Sequence, residues 1–228
     1  MPIATRDSFH QRIRRLLRDY EEVVLAVHSK TRQASLESML SEQATMYLGV
    51  YWEAFIHDLF VAYVTKNPTN CVADYKKRLD KSLADKFNVP NTWIRVTVPK
   101  SLSPQQAERM LDPKGWNLDA TSAQELRNKA NQFLHSTNAR NFALDQEDAQ
   151  FVDLLVAVRN YLAHRSTSSR QRFKEALNTL TVTNKNANLA GPVSDLGKYL
   201  KASIGTASRR RVHVFGDRLI EVSSALVP

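Results

Sequence analysis

The segment Val158-Arg159-Asn160-Tyr161-Leu162-Ala163-His164-Arg165-Ser166 places a permanent cation, an amide and an imidazole at the end of one apolar run. Imidazole is the side chain suited to moving protons near neutral pH. Guanidinium is the side chain suited to gripping phosphate. Together they point to chemistry at a phosphate. On a helix Asn160 and His164 are i, i+4 neighbours and cooperate directly. Arg159 lies about 140° around from His164 and reaches the same zone through its long side chain. Spacing alone is weak support, because Arg6/His10 and Arg209/His213 repeat the pairing elsewhere. A histidine at a helix C-terminus is also a favourable charge on the macrodipole.

The helix that must carry this cluster spans about 145–164 and opens on the acidic Asp145, Glu147 and Asp148, which suit a helix N-terminus. Phe151, Leu154, Leu155, Val158, Tyr161 and Leu162 form its core stripe. Val152, Val156, Ala157 and Ala163 make a second apolar face, which predicts cover from both sides, by the chain itself or by a second subunit.

Around it the spacing predicts further helices. One runs over about 5–29, with Thr5 or Asp7 able to cap its start, Phe9, Ile13, Leu16, Leu17, Tyr20, Val23, Val24 and Val27 on its apolar stripe and Arg12, Arg14, Arg15 and Arg18 mainly off it. A second covers about 35–64 and is apolar around most of its circumference near Tyr47–Phe60, so it belongs in the middle of a bundle; Pro68 ends it. Others follow at about 71–87, 122–134 (capped by Thr121 or Ser122, with Glu125 next), 168–180 and 194–204. Residues 209–228 carry an arginine run and then an apolar segment that fits helix or strand. Between about 89 and 120, Pro90, Pro99, Pro104, Pro113 and Gly115 break the pattern and 93–98 alternates like a short strand, so an irregular insertion is expected there.

Composition bounds the function. The 228 residues carry a formal charge of +9, which favours an anionic partner, nucleic acid first. A solvated basic surface is the plainer alternative, and for Arg12–Arg18 and Arg209–Arg211 it is the expected one. The single cysteine, Cys71, allows neither an intrachain disulfide nor a cysteine zinc site and fits a reducing, cytoplasmic compartment. No apolar run of signal-peptide or membrane-span length is present, so no membrane partner is expected. Glu21, Glu22, Asp58 and Asp153 lack the carboxylate spacing of a metal site, and no cofactor is indicated.

Two motifs carry a resemblance. Arg159-Asn160-Tyr161-Leu162-Ala163-His164 fits the R-N-x-x-A-H form of the motif of HEPN-domain proteins, all-helical RNases and RNA-binding modules of bacteria and archaea. Upstream, Tyr51-Trp52-Glu53-Ala54-Phe55-Ile56-His57-Asp58-Leu59-Phe60 is similar to the W-E-x-F stretch of the RiboL-PSP subgroup of HEPN nucleases. The resemblance implies one all-α HEPN-like helical bundle over residues 1–228, with 89–120 inserted and 168–228 as a C-terminal helical extension, forming a homodimer through the 145–164 helix. It implies metal-independent RNA cleavage in a toxin–antitoxin or anti-phage setting, with an antitoxin or other regulatory protein as a further partner. Carried onto this chain, Arg159 and His164 are the catalytic pair, Asn160 the polar residue beside them and Glu53 the acidic residue of the tryptophan motif. Glu53 would tune His164 or hold Arg159, unless it only partners His57 on the helix surface. A non-catalytic RNA- or protein-binding HEPN module is the alternative. Two departures stand out: a related subgroup has a tyrosine two residues after the histidine where this chain has Ser166, and the 89–120 segment has no family counterpart.

Overall fold

In the computed structural model, which describes every residue except 88–98, 114, 116, 117, 119, 181–184, 192 and 205–208, the chain is a bundle of α-helices with two-residue strands as its only described sheet. α1 (Pro2–Val27) buries Phe9, Ile13, Leu17, Tyr20 and Val24 and leaves Arg12, Arg14, Arg15 and Arg18 in solvent. Leu16 and Val27, at the edge of the stripe, are half-buried, Val23 is exposed, and the helix starts at Pro2 with no side-chain cap rather than at Thr5 or Asp7. α2 (Gln33–Lys66) buries Leu48, Trp52, Phe55, Ile56, Leu59 and Phe60 and is the axis of the bundle. It stops at Asn67, because the ring of Pro68 disfavours helical backbone in the residue before it. α3 (Thr69–Phe87) follows. The alternating stretch 93–98 lies outside the described residues.

The expected irregular insertion is only partly irregular. Pro104–Leu111 forms α4, opened by a reciprocal cap in which Ser103 accepts the Gln106 amide and the Gln106 side chain accepts the Ser103 N–H at 2.9 Å. Pro104 sits in the first turn, where its missing N–H costs nothing. The prolines in this segment hid a helix that one of them starts.

α5 (Ala123–Phe133) is capped by Ser122, one of the two expected residues, which accepts the Glu125 amide, while the other, Thr121, donates its backbone N–H to the Glu125 carboxylate at 2.8 Å. α6 (Ser136–Ala139) and a 3-10 turn (Arg140–Phe142) lead to α7 (Gln146–His164), capped by Asp145. Arg165 then adopts a left-handed conformation (φ 51°) and the chain turns at once into α8 (Thr167–Asn178), capped by Ser166. After a 3-10 turn (Ala187–Leu189) come α9 (Leu196–Lys201), the antiparallel pair β1 (Ser203–Ile204) and β2 (Arg209–Arg210), and α10 (Arg211–Leu226).

Residues 168–228 thus supply α8 to α10, and α10 lies inside the same hydrophobic core through Phe215, Leu219, Val222 and Leu226. A buried ion pair fastens it to α7: Arg218 meets Asp148 at 2.5 Å and also holds Glu221. The second apolar face of α7 is covered by the chain itself. Val152 and Val156 are buried, α5 and α8 pack on the helix, and Ala163 alone of that set is exposed. Among the described residues no helix is long and apolar enough to cross a membrane.

Candidate functional site

The site begins where α2 crosses α7. Gly49 offers no side chain there, and a Cβ on it would stand 2.7 Å from Arg159 Cβ and 2.8 Å from Cγ. The aliphatic stem of Arg159 therefore lies directly on the α2 backbone. One turn further along α2, Glu53 accepts Arg159 Nη2 at 2.9 Å, and Asn160 Oδ1 accepts Nη1 at 2.9 Å. Guanidinium has five N–H donors, so these two bonds fix the fork and still leave donors for a phosphate. Each side chain of the pair is 29% exposed, and a pair so placed contributes about 1 kcal/mol or less. Its consequence is geometric: it aims the cation.

Of the roles open to Glu53, the structure places it on Arg159. His57 is buried and its Nδ1 accepts the Leu118 N–H at 3.1 Å, so it is no surface partner of Glu53. Trp52 is a core residue, tilted against Phe9 and Phe55.

His164 is exposed at the last residue of α7, one turn beyond Asn160, and makes no hydrogen bond among the described residues. The turn that follows it is well held. Arg165 meets Glu42 of α2 at 2.5 Å and lies 5.5 Å from the centre of the Tyr161 ring, which in turn stacks on Phe173 of α8.

Glu53, Arg159, Asn160 and His164 all line one cleft of about 610 Å³, within the size range of ligand sites. Its far wall is the end of α4 (Leu111, Asp112, Pro113) and α5 (Lys129, Gln132, Phe133). Lys129, held by Glu125 at 3.1 Å, is a cation that no sequence motif announced; only the packing of α5 brings it here. A second cleft of about 690 Å³ opens on the α8 side of the same ridge, and Thr121, Val156, Asn160 and His164 line both.

The remaining candidates fall elsewhere. The C-terminal arginine run, expected as a solvated or RNA-guiding face, is engaged in the fold: Arg209 pairs with Asp217 at 2.5 Å, Arg210 with Glu21 at 2.9 Å, and Arg211 lies 4.4 Å over the Tyr199 ring. The Arg6/His10 and Arg209/His213 pairings are structural too, since Arg6 donates to the Val227 carbonyl, His10 meets Ser223 and His213 meets Glu21. Cys71 is buried and its thiol is pushed up to about 11 by that burial, so it carries no thiolate chemistry near neutral pH. Asp153 accepts the Ala123 N–H at 2.7 Å, and among the described residues no three His, Cys, Asp or Glu side chains group as metal ligands would. In comparisons with known proteins, no family model matches this chain, and no curated protein or solved structure matches it either.

Proposed function

We propose that this chain is a HEPN-type, metal-independent endoribonuclease. The observation that carries the reading is the convergence of Arg159, Asn160, His164 and Glu53 on one cleft, although Glu53 and Arg159 stand 106 residues apart. In the reaction a ribose 2′-oxygen attacks the adjacent phosphorus; the P–O2′ bond forms and the P–O5′ bond breaks. His164 takes the 2′-hydroxyl proton, and the departing 5′-oxygen gains one from the imidazolium or from water. Arg159 neutralises the charge building on the phosphoryl oxygens. The products carry 2′,3′-cyclic phosphate and 5′-hydroxyl ends. Glu53 and Gly49 position Arg159 without touching the substrate.

The proposal extends to a cytoplasmic role in a toxin–antitoxin or anti-phage system and to restraint by an inhibitory partner protein. It also extends to a homodimer through the 145–164 helix. Because that helix's apolar face is covered within the chain, the surface left for a second copy is its exposed C-terminal turn, where Ala163 and His164 lie. Two copies meeting there would add a second imidazole to the cleft. Sedimentation of the wild-type protein at dimer mass checks this part, and a monomer at all concentrations removes it.

One observation favours a second reading: no described residue orients His164 by a hydrogen bond. A binding module that grips RNA without cutting it has no need of an oriented base. The test is cleavage of total RNA in EDTA by wild type, His164→Ala and Arg159→Ala. The nuclease reading expects losses of about 10²–10⁴-fold for the first variant and about 10²–10³-fold for the second. Equal background from all three, with RNA still bound, selects the binding module.

A further inference from the structure

The cleft between α7 and α8 has no part in the chemistry above, yet it shares Asn160 and His164 with the cleft that does. The ridge stands directly beside a scissile phosphate held at Arg159 and His164, so an RNA strand leaving on the α8 side crosses it. On the far side it meets a recess of about 690 Å³, large enough for one nucleotide. Both clefts are lined by two carboxylates and one guanidinium, here Asp153, Glu175 and Arg172, but this one has no second cation to match Lys129 and is instead rich in hydroxyls, among them Ser166, Ser168 and Thr179.

That lining suits a base edge better than a phosphate. Asp153 spends Oδ1 on the Ala123 N–H, and among the described residues Oδ2 makes no hydrogen bond. Burial raises its carboxyl above the ordinary range, which marks a carboxylate short of solvent; an amino donor would relieve it. Carboxylates accept from the amino groups of bases and repel carbonyl edges, and proteins read single-stranded RNA by such hydrogen bonds to unstacked bases. Arg172, exposed and without an ion pair among the described residues, stands at the same recess as the cation for the connecting backbone.

We infer that the α7–α8 cleft is a base-reading subsite that takes the nucleotide beside the scissile phosphate and prefers a base bearing an exocyclic amino group over uracil. The inference rests on the reading of Arg159 and His164 as an RNA site. Asp153 is its specificity-determining residue, because Asp153→Asn keeps an oxygen for the Ala123 N–H while turning the other position from acceptor into donor. Cytosine and uracil have nearly the same size and differ there in opposite senses.

The experiment measures binding, so that it does not depend on turnover. Fluorescein-labelled oligocytidylate and oligouridylate hexamers are titrated into His164→Ala protein and into the His164→Ala, Asp153→Asn double variant. The parent is expected to bind oligocytidylate about tenfold more tightly, the worth of one hydrogen bond to a charged group, and the double variant to lose or invert that ratio. Should Asp153→Asn unfold α5, Ala157→Leu, which fills the recess with hydrocarbon, is expected to abolish the ratio by itself. A parent without preference, or an unchanged ratio in the variants, overturns the subsite. Cleavage of both hexamers by wild type with that outcome leaves the nuclease standing alone. A ratio that responds to Asp153→Asn in a protein that never cuts keeps the subsite and removes the nuclease. Failure of wild type and His164→Ala protein alike to bind or cut either hexamer removes both.

Discussion

At the scale of single residues, the geometry of the site depends on an absence. Arg159 reaches the cleft because Gly49 has no side chain: its stem passes where a Cβ would lie, 2.7 Å from its own Cβ. The contact is with the root of the arginine, which cannot swing away as a side-chain tip would. Gly49→Ala therefore forces α2 and α7 apart at the level of Glu53 and the guanidinium. Overpacking of this kind costs about 1–3 kcal/mol. It should also weaken RNA cleavage, because an arginine displaced by even an ångström no longer meets the phosphoryl oxygens. A thermal melt and a cleavage assay check the two effects, and Arg159→Ala provides the control. With the fork already absent, adding Gly49→Ala should still lower the melting temperature, since the Cβ clash remains, but should cost no further activity. A second large drop in activity would show that Gly49 acts through something other than Arg159.

At the scale of elements, α4 shows what the sequence disclosed and what it concealed. Long, strongly patterned segments were legible: α1, α2, α5 and α7 lie within a few residues of where apolar spacing put them, and the caps of α7 and α5, Asp145 and Ser122, are residue types that accept backbone amides. Within the site, the i, i+4 step from Asn160 to His164 was legible, since it depends only on helix geometry. The link from Glu53 to Arg159 was not fixed by sequence, because it depends on which face of α2 meets α7. Lys129 and the second cleft were wholly illegible for the same reason: both arise from the packing of separate helices. α4 is a different case. Its signal, Ser103-Pro104-Gln105-Gln106, is a capping box with proline in the first turn, and it was outweighed by the prolines around it. Because α4 ends in Leu111 and Asp112 on the wall of the cleft, its cap bears on the site. Ser103→Ala should destabilise the protein by about 1 kcal/mol, the usual cost of losing such a cap. Hydrogen exchange should then quicken first at the amides of α4. Uniformly faster exchange across α2 and α7 would mean instead that α4 melts only with the whole bundle.

At the scale of the whole molecule, two histidines far from the cleft set the response to acid. His10, against Ser223 of α10, and His213, against Glu21 of α1, both fasten the first helix to the last. Burial lowers the proton affinity of each below the usual histidine value of 6.5, aided at His10 by Arg14 and Arg6. For His213 a carboxylate at 3.1 Å pulls the other way. It loses to burial and to Arg209 and Arg210, because Glu21 is already shared with Arg210 at 2.9 Å. A base held neutral in the fold binds fewer protons than the same base in the unfolded chain. The stability from these imidazoles is therefore complete above pH 6.5 and is lost as the pH falls from there toward their folded-state values. The depressed carboxyls of Asp145 and Glu125 add losses only further into the acid range, and the raised Asp153 acts in the opposite sense there. Between pH 7.5 and about pH 5.5 the histidines should thus dominate, and the melting temperature should fall across that interval. His213→Gln, which keeps a polar group beside Glu21 but cannot titrate, should flatten the fall, and His10→Gln should flatten it further. A profile that both substitutions leave as steep as wild type would mean that the α1–α10 seam does not sense acid.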